Sequence, residues 1–156
     1  MKPPVLLLCL AGPLAVVAQP RRAPAQVTLL RVEAHAFGEQ QSVTVTADSV
    51  LVTKVLNTED GDQRTRYARA LTAPEHAALL APFNRVYLSA LRPAYEDRNA
   101  PTDDVTFGLF LHKGAVVKYI RIYRYKLAPF YAFSTQLNLF VPPAFQLGYT
   151  ERYFTN

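Results

Sequence analysis

From Val27 onward, apolar and polar residues tend to alternate, the period-two signature of strands half-buried in a sheet. Residues 27–37 alternate loosely. Residues 43–47 (Val-Thr-Val-Thr-Ala) and 50–55 (Val-Leu-Val-Thr-Lys-Val) are β-branched and predict an antiparallel hairpin turning at Asp48-Ser49. Placing Ala47 opposite Val50 sets Val45 opposite Val52, so the valines share one face while Thr44 and Thr53 share the other. Residues 57–62 read as a turn and residues 63–71 as a more polar strand.

The period then changes. Thr72-Ala73-Pro74-Glu75 is a helix start: Thr72 can cap free N–H groups, Glu75 can reach back, and Pro74 sits in the first turn. Leu79, Leu80, Phe83, Val86 and Tyr87 follow at helical spacing. Pro82 should kink or split this helix near Ala81, and Arg92-Pro93 ends the segment. An acidic, Pro-containing loop is expected over 95–104.

A second hairpin joins residues 105–112 to 115–125 through Lys113-Gly114. With His112 opposite Ala115, Phe107 faces Ile120 and Val105 faces Ile122 on an apolar side, with Leu109 against Lys118. The other side holds Phe110, His112, Tyr119, Arg121 and Tyr123, with Gly108 leaving room for the Tyr119 ring. Residues 129–141 have the spacing of a short helix, stopped by Pro142-Pro143. The aromatic tail, 145–156, is expected to be a short strand or an extended segment laid on the body. The order of elements implies an α+β fold: an antiparallel sheet built from hairpins, with two helices packed on one face.

The first residues carry a different pattern. Lys2, the apolar run through Val17 and the compact Val16-Val17-Ala18 read as a secretory signal peptide over 1–18, cleaved after Ala18. Pro13 interrupts an apolar run already short of the roughly 20 residues a membrane span needs. Residues 19–26 read as a flexible mature N-terminus and 27–156 as one domain, with no transmembrane segment expected in the mature chain. Leu8 before Cys9 is unlike a lipoprotein signal, so Cys9, the chain's one cysteine, leaves with the leader. A secreted or periplasmic domain without thiol or disulfide is expected.

Composition narrows this picture modestly. Half of the chain is hydrophobic and 19% is charged, which argues against intrinsic disorder. The net charge of +5 favours anionic partners only weakly, and secretion argues against nucleic acid. In pattern, residues 43–55, the Leu71-to-Glu75 helix start and the Lys113-Gly114 hairpin followed by a Pro-led helix resemble small secreted bacterial α+β domains of unknown function. Some of these are compared with β-lactamase-inhibitor-like or PepSY-like folds. The likeness spans roughly two-thirds of the chain by pattern; it implies no activity and no functional residues.

Catalytic and metal motifs are missing from the sequence. His35, His76 and His112 are scattered, and none pairs with another at metal-ligand spacing. Ser42, Ser49, Ser89 and Ser134 lack the glycine-flanked elbow of a serine nucleophile, and there is no phosphate loop. The acidic clusters Glu59-Asp60-Gly61-Asp62 and Glu96-Asp97…Asp103-Asp104 lack EF-hand spacing. No metal and no cofactor is therefore expected.

What remains is Lys118 to Lys126, Lys-Tyr-Ile-Arg-Ile-Tyr-Arg-Tyr-Lys, where basic and aromatic side chains interleave on a strand. Such a face either covers itself, each side chain burying a stem and leaving a polar tip wet, or binds a ligand. The expectation is a non-enzymatic recognition module for another envelope protein, a peptide or an anionic polymer. Its ligand-face candidates are Phe110, His112, Tyr119, Arg121 and Tyr123. The alternatives are a hydrolase assembled around His76 or His112, and an inhibitory or structural module.

Overall fold

Strand β1 (Val27–Ala36) has polar neighbours for every apolar residue, yet it lies in the middle of the sheet, paired on both edges. In this computed structural model, residues 25–97 and 105–155 are described; the predicted leader, Cys9 and Asp103-Asp104 lie outside them. On one side β1 joins β2 (Glu39–Val45) through a Phe37-Gly38 turn in which Gly38 takes φ +73°. Strands β3 (Ser49–Thr58) and β4 (Gly61–Ala70) continue the meander by tight hairpins. On its other side β1 pairs with β6 (Thr106–Lys113), which turns into β7 (Val116–Tyr123). Strand β5 (Ala94–Glu96) lies parallel to β7, giving the order β4-β3-β2-β1-β6-β7-β5.

The α+β class expected from the sequence is the one observed, with one amendment: Ala94–Glu96, at the start of the expected loop, adds a short parallel edge to an otherwise antiparallel sheet. Both predicted hairpins form, but each register is moved by two residues. Val45 pairs with Val50 and Val43 with Val52, because the turn is made by Ala47-Asp48 and not Asp48-Ser49. That turn is held by Thr46 N–H donating to the Ser49 carbonyl (2.9 Å) and by a hydrogen bond between the Thr46 and Ser49 hydroxyls (2.7 Å). In the second hairpin Lys113 pairs with Val116, so Gly114-Ala115 makes the turn. Gly114 then holds the first central position with φ +60°, as a type II′ turn requires. A two-residue shift leaves every side chain on its predicted face. It moves Lys118 from Leu109 to Leu111, and Leu109 now meets Ile120.

Lys113 is drawn into the strand by a task of its own. Its ammonium donates to the carbonyls of Asn84 and Val86 (both 2.9 Å) and Phe83 (3.3 Å) at the end of helix α1 (Ala73–Asn84). A helix leaves its last carbonyls without partners, and a cation there is favourable. The start of α1 is the predicted capping box, with Thr72 N–H donating to Glu75 at 2.8 Å. Pro82 does not split the helix as expected. It stands two residues from the end, where the helix stops at Asn84 and leaves Val86 and Tyr87 outside.

Helix α2 (Ala128–Phe140) buries Phe130, Phe133 and Leu137, and α1 buries Leu79, Leu80 and Phe83. Phe83 meets Phe133 at 5.9 Å, and Phe130 meets Phe107 of the sheet edge-on at 5.6 Å. Beneath them lies the apolar side of the sheet: Leu30, Val32, Val43, Val45, Val50, Val52, Leu109 and Ile120, all inaccessible to solvent. Burying each such side chain contributes about 1.5–3 kcal/mol. Among the described residues the tail forms no final strand. After Pro142-Pro143 it crosses the core and ends in helix α3 (Glu151–Thr155). Tyr149 is buried there, with its hydroxyl accepting from Leu127 N–H at 2.8 Å and donating to the Tyr125 carbonyl. Burial pushes that phenol well above the usual tyrosine range. An aromatic segment with this many rings is more stable inside the core than paired along its rim.

Candidate functional site

Because α1, α2 and the tail all pack on one side, the opposite side of the sheet is left without a covering layer among the described residues. Strand alternation decides what it displays. Leu30, Val32 and Ala34 face the helices, so Arg31, Glu33 and His35 face out from the central strand. Pairing carries this side outward in rows. Arg31 stands beside Phe110, which stands beside Tyr119. Glu33 stands beside Gly108, and Gly108 beside Arg121. His35 leads through Thr106 to Tyr123. In the other direction Glu33 meets Ser42, then Thr53, then Arg66. Gln40 and Val55 connect His35 to Arg64.

All five residues singled out from the sequence lie on this open side. Tyr119 is 55% exposed and Arg121 is exposed, while Phe110, His112 and Tyr123 are half-buried. The Tyr119 ring lies diagonally across Gly108: a Cβ added to that glycine would stand 2.8 Å from the phenol oxygen. The contact was expected from direct pairing and is achieved instead by a diagonal reach, since Tyr119 pairs with Phe110.

The other half of the site was not singled out in the sequence. Arg31, Glu33, His35, Ser42, Arg64 and Arg66 line a shallow concavity of about 310 Å³ on β1 to β4. The alternations Arg31-x-Glu33-x-His35 and Arg64-x-Arg66 were the available signal. What gave them meaning is the pairing of β1 with β6, a contact between residues far apart in the chain.

Charge on this side is predominantly positive. Arg31 pairs with Glu33 at 2.7 Å, and His35 lies 3.8 Å from the same carboxylate. Arg64, Arg66 and Arg121 have no ion-pair partner among the described residues. Five strand spacings separate β4 from β7, so the cations span about 24 Å across the strands. With Phe110, Tyr119 and Tyr123 beside Arg121, the surface combines cations with flat apolar rings. It suits an extended anionic ligand better than a compact one.

The histidines named for a hydrolase are not brought together. His112 Nδ1 lies 3.3 Å from the Thr28 hydroxyl, and His76 Nε2 is buried without a hydrogen-bond partner among the described residues. Among the described residues no three His, Cys, Asp or Glu side chains gather into a group that would hold a metal ion. Ser49 is engaged in its turn, and Ser134 is buried within α2. Glu59-Asp60 forms the β3–β4 hairpin turn and Gly61-Asp62 begins β4, with the Thr58 hydroxyl donating to the Gly61 carbonyl. A separate cleft of about 410 Å³ lies where α1 ends, lined by Val86, Tyr87, Leu88 and Val116. None of the three histidines lines it. No helix among the described residues is long and apolar enough to cross a membrane. No protein-family model matches the chain, and no curated protein matches it.

Proposed function

We propose that this protein is a secreted or periplasmic, non-enzymatic recognition module that binds an acidic segment of another envelope protein across the open side of its sheet. The observation that carries this reading is the uncovered sheet face. Among the described residues it displays Arg64, Arg66 and Arg121 without ion-pair partners, together with Phe110, Tyr119 and Tyr123. A face serving only to cover itself would be expected to pair its cations. Three arginines held apart on rigid strands instead offer preorganised contacts to carboxylates, at little cost in ordering the site. The leader-like pattern of residues 1–18 and the resemblance to small secreted domains support the same compartment.

The test pairs location with binding. Cell fractionation should recover the protein outside the cytoplasm, with mass spectrometry giving a mature chain that begins at Gln19. A long polyglutamate chain should bind, and the affinity should fall as salt is raised, because exposed charges are screened within about 8 Å at physiological ionic strength. Replacing Tyr119, Arg121 and Tyr123 together by Ser should lower that affinity about tenfold or more with little change in thermal stability. A large loss of stability would mean that the face serves the fold and not a ligand. Unchanged affinity would remove the aromatic half of the site.

A further inference from the structure

Strand β4 ends the sheet, and its outer edge has no strand beside it among the described residues. The direction of its backbone groups follows from one hydrogen bond. Leu71 N–H donates to the Asp48 carbonyl at 2.7 Å, beside the pair Ser49 and Ala70. An antiparallel ladder alternates, so residues 63, 65, 67 and 69 direct their N–H and C=O groups at β3. Asp62, Arg64, Arg66, Ala68 and Ala70 therefore direct theirs outward.

Natural sheets blunt such edges by making them short, bulged, proline-bearing or charged, and of these devices β4 has only charge, in Arg64, Arg66 and Arg69. Strand β4 is ten residues long, contains no proline, and pairs with β3 without a register break. The opposite edge strand, β5, has three residues. Among the residues with outward backbone groups, Arg64 and Arg66 also carry exposed guanidinium groups on the open side of the sheet, with no ion-pair partner among the described residues. The edge thus presents a free ladder flanked by two cations spaced two residues apart.

Charge selects the occupant. A second copy of β4 added antiparallel about Thr65 would set Arg64 against Arg66 twice, and like charges directly opposite are destabilising; added about Tyr67 it would set both arginines against alanines and leave them without a counter-charge. A strand with carboxylates at alternate positions would meet both arginines instead. We propose that β4 captures an extended acidic segment of another protein as an eighth strand, its alternate carboxylates pairing with Arg64 and Arg66. This rests on the anionic-partner reading above and adds where and how that partner binds. Main-chain hydrogen bonds would supply affinity, and the two arginines would select sequence and register.

The probe is a fluorescent heptapeptide of alternating glutamate and valine, titrated against the full chain by anisotropy, with hydrogen exchange followed in parallel. Binding should protect the amides of Arg64, Arg66 and Ala68. Two isomers of the peptide, N-methylated on one or the other alternate set of amides, should differ about tenfold or more, since only one set faces β4. Ala68→Pro removes one outward donor and no β3–β4 hydrogen bond, and should cost about the same factor. Arg64→Glu with Arg66→Glu should transfer preference to a lysine–valine peptide. Equal binding of both isomers without β4 protection would overturn the edge reading. If that peptide affinity were lost in the Tyr119/Arg121/Tyr123 serine variant, the face reading would stand without it. Absence of binding by both the heptapeptide and polyglutamate would overturn both.

Discussion

Gly108 sits under the Tyr119 ring, and filling its missing side chain separates what the ring does for stability from what it does for a ligand. A Cβ at this position would lie 2.8 Å from Tyr119 Oη, 3.2 Å from Cε2 and 3.3 Å from Cζ. Comfortable separations between such atoms are about 3.5–4.0 Å, so Gly108→Ala must push the ring away by about 0.5–1 Å. The ring is 55% exposed and is the flexible end of its side chain, so it can yield. A displacement that takes a side chain about 30° from its rotamer costs about 0.5–1.5 kcal/mol. Restricting the unfolded chain by replacing glycine returns about 0.4–1 kcal/mol. The two nearly cancel, and thermal unfolding should move by less than about 4 °C. Binding has no such compensation. If the ring over Gly108 is part of the ligand surface, polyglutamate affinity should fall about threefold to tenfold, equivalent to about 0.7–1.4 kcal/mol. The double variant Gly108→Ala with Tyr119→Ser closes the cycle. There the alanine should stabilise, and the coupling with Tyr119 should be about 0.5–1.5 kcal/mol. A fall of more than about 8 °C for Gly108→Ala alone would show that the ring cannot yield. Unchanged affinity in Gly108→Ala, alongside lost affinity in Tyr119→Ser, would show that the ring's position over the strand is immaterial.

Lys113→Met keeps the aliphatic stem but removes the ammonium that serves the Phe83, Asn84 and Val86 carbonyls. It should destabilise by about 1–3 kcal/mol in chemical denaturation, and a change below about 0.5 kcal/mol would show that water replaces the cap without loss. Acid should weaken the fold in a defined direction. The Thr72 backbone N–H, then its hydroxyl, hold the Glu75 carboxyl below its ordinary range; Lys126 does so for Glu151, and the Thr46 hydroxyl for Asp48. Each group binds its proton more weakly when folded. Its contribution is therefore complete above the ordinary carboxylate value and disappears as pH falls through the lowered one. Thermal midpoints measured from about pH 6 down to pH 3 should decline, and Glu75→Gln should flatten part of that decline. An acid limb identical to that of the parent would place the dependence elsewhere.

The local elements of this protein were legible because their causes are local. The Thr72-to-Glu75 capping box needs four consecutive residues, and the hairpin faces need only a period of two. Even where both hairpin registers moved by two residues, the aromatic-basic set of Phe110, His112, Tyr119, Arg121 and Tyr123 stayed on one side, because parity survives an even shift. Turn geometry was read less well. Gly114 needed the first central position, and Lys113 was claimed by the end of a helix 29 residues earlier in the chain, which no neighbouring residue announces. The remaining features depended on tertiary structure. Pairing β1 with both β2 and β6 joined Arg31, Glu33 and His35 to the aromatic rows, and extended the surface to Arg64 and Arg66. Helices α1 and α2 settled on one side because the apolar rows of β1, β2, β3, β6 and β7 converge there, so the basic side remained open among the described residues. Period and capping are properties of short stretches of chain. The composition of a sheet face, and which edge is left unpaired, follow from long-range pairing alone.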